Sequence, residues 1–330
     1  LIKKYYELPI RQDDEDLGED HYMECVRDLL EKSIKNRMIS DVPLGAFLSG
    51  GLDSSILVAL MSQMSQDQIK TFSIGYQEND YNEGKFAEIV SRHCNTDHTE
   101  TLITHRDYLD QWHKLIELRD TPLSIPHEVP LYQMSKVLKK DITVVLSGEG
   151  ADELFGGYGR VQRSPMDWKK IAFFRKIFTP LISDKISKKF RNNSIASLLS
   201  IDSHMNHFFH IYNWIPFNEK WDLFSREVNQ ILIEDKITIE TFSNAFKKTE
   251  HIDPYDQILH VFQNIHLSCL LERLDMMSMA ASVEARVPYV DDHELVEFVI
   301  KMPFHYKMKW NSRLAQTRAI FYSSFKVSEW

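Results

Sequence analysis

The sequence predicts an α/β fold, a parallel sheet with flanking helices, followed by a mostly helical region. Between residues 42 and 160, short apolar runs alternate with helical patterns. Two of those runs end in glycine-containing turns, where parallel sheets receive ligands. Beyond about residue 160 the strand signals fade, while aromatic and Leu/Ile residues recur at helical spacing. These observations divide the chain into a lead-in (1–41), an α/β core (42–160) and a mainly helical part (161–330).

The elements follow in order. Residues 11–41 read as an acidic loop and then an amphipathic helix on Met23, Val26, Leu29, Leu30, Ile34 and Met38. "LGAFL" (44–48) is a buried strand, and "SSILVALMSQM" (54–64) is the helix after it. "KTFSIGY" (70–76), "EGKFAEIVSRHC" (83–94), "VPLYQMSKVLKK" (129–140) and "ITVVLSGEG" (142–150) continue the alternation. No internal repeat or low-complexity linker separates the helical part from the sheet.

Bulk properties set limits. With 330 residues and 43% hydrophobic composition the chain builds a sizeable core. A formal net charge of −9 disfavours a nucleic-acid partner, because neutralising phosphates needs surplus Lys and Arg. Cys25, Cys94 and Cys269 are far apart with no CxxC pair, which suggests neither a disulfide framework nor a zinc site and fits a reducing, cytoplasmic setting. No apolar run approaches the ~18 residues of a membrane span, and the charged opening is no signal peptide.

In "FLSGGLDSS" a strand ending at Leu48 feeds Ser49, Gly50 and Gly51 into a tight turn, and Asp53, Ser54 and Ser55 open a helix. Glycine permits positive φ and close backbone approach, and a helix N-terminus favours an anion, so the expected guest is a phosphate group. Neither the GK[ST] of the common P-loop nor GxGxxG is present. The hexad "SGGLDS" instead resembles the pyrophosphate loop of the ATP pyrophosphatase (PP-loop) superfamily. That resemblance implies an adenine nucleotide alpha hydrolase-like sheet, with Ser49, Gly50, Gly51, Ser54 and Ser55 cradling phosphates and Asp53 helping to hold Mg²⁺.

A second motif, "VVLSGEGADELFGGYGR" (144–160), sets Ser147 and Gly148 at another strand end, followed by Glu149, Asp152 and Glu153. Three acids within five positions repel one another in a dry pocket unless a cation or proton relieves them, which suggests a magnesium site. This motif, with "SDVPLGAFLSGGLDSS" (40–55), "KTFSIGY", "FAEIVSRHCNTDHTE", "DTPLSIPHEVPLYQMSK" and "LERLDMMSMAASVEARVPYVD" (271–291), resembles the C-terminal synthetase domain of asparagine synthetases over most of residues 1–305. The resemblance implies one synthetase domain over 1–330, using ATP and Mg²⁺. Leu48 and Ile74 would contact adenine or ribose, Ser147 and Gly148 the nucleotide, and Asp53 and Asp152 the metal. Glu149 would face the acyl adenylate and incoming ammonia, and Arg286 would partner a substrate carboxylate or phosphate unless a bridge to Glu284 or Asp291 engages it.

The implied chemistry is adenylation of aspartate's side-chain carboxylate with release of pyrophosphate, then displacement of AMP by ammonia to give asparagine. The family's N-terminal glutaminase is expected to be absent, since "LIKKYYELP" resembles the segment that follows it, so ammonia would come free or from a partner. A homodimer is an assembly this reading allows. Amidation of another carboxylate, such as an envelope sugar acid or secondary metabolite, and a non-catalytic partner-binding domain are the competing readings. The family's phosphate-contacting C-terminal lysine has no match; Lys307, Lys309 and Arg313 read as solvated cations. His204, His207 and His210 read as helix packing rather than a metal site, and the ten Lys or Arg of 160–191 as a basic solvated face.

Overall fold

The computed structural model describes residues 3–11, 15–77, 84–123, 125–178, 201–215, 220–231, 236–310, 315–317 and 325. The lead-in helix α1 (Glu19–Arg37) carries Glu19 and Asp20 in its first turn and Lys35 and Arg37 in its last, both complementing the helix dipole. Its apolar stripe buries Val26, Leu30 and Ile34 completely, as the spacing predicts.

Five parallel strands form the sheet: β1 (Leu44–Phe47), β2 (Lys70–Tyr76), β3 (Asp97–Ile103), β4 (Val144–Leu146) and β5 (Glu284–Arg286), in the order β3-β2-β1-β4-β5. Gly45 is required inside β1 because a Cβ there would lie 2.5 Å from the Lys70 carbonyl oxygen on β2. Side-chain alternation divides the core. Ala46, Leu48, Val144 and Leu146 join α1 and the helix α2 (Leu52–Met64) in one cluster, while Phe47, Phe72 and Val145 join α5 (Glu128–Leu138) in another. Covered on both sides, the middle strands read as continuous apolar runs. Helix α2 is buried at every position from Ser54 to Met61, so it shows no amphipathic stripe.

Helices α3 (Gly84–Cys94) and α4 (His105–Arg119) complete the crossovers, and α4 opens with a capping box in which Thr104 and Asp107 exchange side-chain and backbone hydrogen bonds. From β1 the chain builds outward to β2 and β3, then returns to lay β4 on the other side of β1. The sheet therefore reverses direction between β1 and β4, and their carboxyl ends frame a crevice.

The remainder comprises α6 (Ala151–Phe155), α7 (Gly159–Gln162), α8 (Ser164–Phe178), α9 (His204–Tyr212), α10 (Arg226–Ile231), α11 (Lys236–Lys248), α12 (Pro254–Val261), a π-helical turn (Phe262–His266), α13 (Leu267–Met279), α14 (His293–Lys301) and α15 (Phe304–Lys307). It is mainly helical, with one consequential exception: β5 lies within it and pairs with β4, so the sheet extends past residue 160. Three residues with no apolar run carry no strand signal of their own. A short antiparallel pair, β6 (Met308–Trp310) and β7 (Ala315–Thr317), lies near the C-terminus.

Two of the three α9 histidines pack: His207 bonds Ser164 Oγ through Nδ1 at 2.8 Å, and His204 meets Phe246 edge to face, whereas His210 is exposed. Lys307 departs from expectation. It is buried at 1% exposure, where burial pushes its ammonium down to about 8 against the opposing charge of Asp256, so it is not a solvated lysine. The Lys309 side chain, Arg313 and the basic positions from 185 to 191 lie outside the described residues.

Candidate active site

The turn after β1 is built by hydroxyls. Leu48 closes the strand by donating its N–H to Phe72 O at 2.8 Å, and Gly50 adopts a φ of 78°, where a Cβ would collide with the Phe86 backbone at 2.4 Å. Gly51 N–H donates to Ser49 Oγ at 3.2 Å, Ser54 and Ser55 hydroxyls donate to Gly51 O at 3.2 and 2.7 Å, and Ser49 and Ser54 Oγ atoms lie 3.0 Å apart. These bonds hold the loop against the first turn of α2 with Asp53 in it. Tyr289 Oη donates to the Asp53 carbonyl at 2.8 Å, tying that turn to the β5–α14 connection.

The turn after β4 faces it. Ser147 N–H donates to Arg286 O on β5 at 2.8 Å, and its Oγ accepts from Glu149 N–H at 3.2 Å. A Cβ on Gly148 would stand 3.1 Å from Ser54 N and 3.3 Å from the Asp53 carbonyl carbon, so the two loops meet with no room for a side chain between them. Asp152 and Glu153 occupy the first turn of α6. A Cβ on Gly157 would fall 1.5 Å from Asp152 Oδ1, so glycine there gives the carboxylate its place.

Together the loops line a cleft of about 280 Å³. Of the residues singled out in the sequence, Ser49, Gly51, Asp53, Ser54, Ser147, Gly148, Glu149 and Asp152 line it. Gly50 and Ser55 shape the loop from behind. Leu48 is buried in the core, and Ile74 packs, half-buried, against the Phe47–Phe72 cluster. Arg286 is not in the lining: it donates to Arg37 O and Ile39 O at 2.8 and 2.7 Å and to Glu284 Oε1 at 2.7 Å, closing the C-terminal end of α1.

Three lining or adjoining groups escape sequence reasoning. Arg273, on α13, donates to Glu149 Oε1 at 2.6 Å, with the two side chains 13% and 26% exposed. Burial pushes the Glu149 carboxyl above its ordinary value and Asp152 adds to that, against the pull of Arg273. Tyr158 donates to Glu153 Oε1 at 2.6 Å, and His266 of the π-helical turn lies 3.8 Å from the same oxygen. Burial carries Glu153 up to about 7, with the charges of Asp152 and Glu149 adding to the rise. The same burial pushes His266 down to about 4, so it is a neutral ring, hydrogen-bonded to Tyr212 Oη through Nδ1 at 2.8 Å. The available signal for Arg273 is its place with Glu272 and Asp275 among the three charges of "LSCLLERLDMM"; Glu153 is marked only as one of three neighbouring acids, and Tyr158 lies inside the second motif without an assignment.

Among the described residues no group of three or more His, Cys, Asp or Glu is arranged to hold a metal ion. Asp53 and Asp152 nonetheless open into one cleft beside serine hydroxyls and no thiol, a donor set suited to a hard oxygen-seeking cation together with phosphate oxygens. Among the described residues no helix is long and apolar enough to cross a membrane, and the three cysteines are unpaired.

Comparison with known proteins matches residues 25–324 to the family described as Asparagine synthase. Asparagine synthetase [glutamine-hydrolyzing] 1 of Bacillus subtilis is 30% identical over 303 residues, covering 88% of this chain and 45% of that protein. Asparagine synthetase [glutamine-hydrolyzing] 3 of the same organism is 29% identical, covering 87% of this chain and 43% of its own length. Asparagine synthetase B [glutamine-hydrolyzing] of Escherichia coli is 36% identical over 156 residues, 42% of this chain and 28% of that protein. The chain thus spans less than half the length of these curated relatives.

Proposed function

This chain belongs to the asparagine synthase family, and on that premise we propose that it is an AMP-forming ligase that uses ATP to adenylate the side-chain carboxylate of aspartate and transfers ammonia to give asparagine. The observation that carries the reading is the meeting of the two strand-end loops at the switch point, with Ser49, Gly51 and Ser54 facing Ser147, Gly148 and Glu149 across one cleft. A lone glycine turn is common; two converging on one cleft, backed by a helix N-terminus, provide for both halves of a nucleotide.

In this reading the first turn of α2 and the Ser49–Gly51 loop hold the β and γ phosphates, and Ser147 and Gly148 the AMP portion. The adenosine end rests toward Phe47 and Ile74, on the face of the sheet away from the buried Leu48 side chain. A carboxylate oxygen of the acceptor attacks the α-phosphorus, and the bond to the bridging β-phosphate oxygen breaks. Loop N–H groups fixed beforehand stabilise the charge that gathers on the departing pyrophosphate, without reorganisation during the step. Asp53 and Asp152 would hold Mg²⁺, which would supply further positive charge to that leaving group.

Ammonia then attacks the acyl carbon, the C–O bond to AMP breaks, and the nitrogen loses a proton. Glu149 accepts it, as a cleft-lining carboxylate whose raised pKa lies nearer the working pH than an ordinary glutamate's. Arg273 orients that carboxylate and opposes the rise in its pKa. The glutamine-hydrolyzing names of the relatives support glutamine as the source of the ammonia.

The test is ATP/pyrophosphate exchange with Mg-ATP and aspartate, followed by amide formation on adding ammonium. Exchange that depends on aspartate and is abolished in Asp53→Ala supports the reading. Exchange that persists unchanged in Asp53→Ala removes the phosphate assignment, and exchange with a different carboxylic acid alone replaces the acceptor.

A further inference from the structure

The protein carries a formal charge of −9, yet residues 160–178 hold six basic side chains against the single acid Asp167. Most of this charge is on α8. One face of that helix is tied down: Ser164 Oγ bonds His207, Trp168 stacks obliquely on the same ring at 6.4 Å, and Arg175 donates to Ile201 O at 3.0 Å. The opposite face is in large part exposed. Phe173, Phe174 and Ile177 are 62%, 50% and 46% exposed, an unusual outlay of large apolar surface on one short helix.

The spacing of these residues decides what the face suits. At ~100° per residue, Phe173, Ile177 and Phe174 span an arc of ~100°, with Lys170 within it, Lys169 and Lys176 beyond one edge, and Asp167, 4.0 Å from Lys170, beside the other. The three lysines are exposed. An apolar centre flanked on one side by long cationic side chains, with three lysines against the single acid Asp167, matches the boundary of an anionic bilayer, where rings enter below the headgroups and lysine stems extend back to reach lipid phosphates. A protein partner would instead favour an apolar centre depleted of lysine. We propose that the outward face of α8 docks reversibly on an anionic lipid membrane surface.

The test is co-sedimentation of the whole chain with phosphatidylcholine vesicles, with and without about a third phosphatidylglycerol. At about 1 kcal/mol for each lysine near such a surface, Lys169→Glu/Lys170→Glu/Lys176→Glu lowers partitioning about 100-fold or more. Phe173→Ser/Phe174→Ser/Ile177→Ser loses at least tenfold, and 0.5 M salt weakens binding of the parent chain. Circular dichroism and thermal unfolding of each variant, matched to the parent, show that the fold survives. Equal binding to both vesicle types, no binding to either, or binding untouched by the two triple variants overturns the proposal. So does a dimer in vesicle-free buffer that the serine variant dissolves, since a second copy would then occupy the face.

Discussion

Replacing Arg273 with Met perturbs the cleft at the contact that sequence reasoning missed. Two opposite charges 2.6 Å apart attract by about 6 kcal/mol at an effective dielectric near 20, most of which is offset by the desolvation of both groups. The side chains are only 13% and 26% exposed, so solvent screening is limited, and a charge-assisted bond of this kind is worth about 2–3 kcal/mol net. Arg273→Met is expected to lower unfolding stability by that amount at pH 7. Glu149→Gln in the same background recovers most of it, because no ionised carboxylate is then left without its cation. The functional consequence has a fixed sign. Burial already raises the Glu149 carboxyl and Arg273 opposes the rise, so the variant binds the proton more tightly. Its amide-forming activity, which needs the carboxylate free to accept a proton, therefore fails at a higher pH than the parent's as pH is lowered. Denaturant unfolding of the four-membered mutant cycle, with pH–rate profiles for amide formation, measures both effects. A coupling below about 0.5 kcal/mol, or an acid limb that does not move, refutes the assigned pairing.

Three further outcomes follow from the geometry. Gly157→Ala drives a Cβ to within 1.5 Å of Asp152 Oδ1, so magnesium-dependent exchange should fall at least 100-fold while circular dichroism stays native; full exchange in that variant would mean that Asp152 can move without consequence. Glu153, held at about 7 against an unfolded value near 4.5, contributes its full stability below pH 4.5 and loses it as pH rises through 7. Glu153→Gln is then more stable than the parent at pH 8 by up to about 3 kcal/mol and no more stable near pH 4, read by thermal unfolding at both values. Arg286→Ala removes two bonds to the end of α1 and an ion pair with the exposed Glu284, lowering stability by about 2 kcal/mol with kcat unchanged in the surviving folded fraction; a kcat collapse at full stability would put Arg286 at the chemistry instead.

Both glycine turns and the central strands were legible because their signals are local: buried parallel strands are continuous apolar runs, and a tight turn needs glycine whatever surrounds it. Helix α1 was equally readable from its apolar spacing. Strand β3 carries "DHTETLI", an edge sequence half open to solvent, so no apolar run marks it. Strand β5 is a strand only because β4 pairs with it, 140 residues away at Val144–Glu284. The same distinction runs through the site. Loop residues were found from the order of residues, whereas Arg273 reaches Glu149 across 124 positions through the packing of α13. Arg286 reads from its motif as a substrate partner unless a bridge to Glu284 or Asp291 engages it; its guanidinium makes the Glu284 bridge and closes α1, a contact 249 positions away. Lys307 reads from the sequence as an ordinary solvated lysine; its burial sets it beside Arg11 and Asp256, both distant in the chain.

The most direct measurement is a crystal structure of the protein with magnesium and a non-hydrolysable ATP analogue. The β and γ phosphates are expected within about 3 Å of the backbone N–H groups of residues 52–54, with the metal ligated by both Asp53 and Asp152. A triphosphate bound away from the Ser49–Gly51 turn, or a metal that engages neither aspartate, would contradict the shared-cleft account.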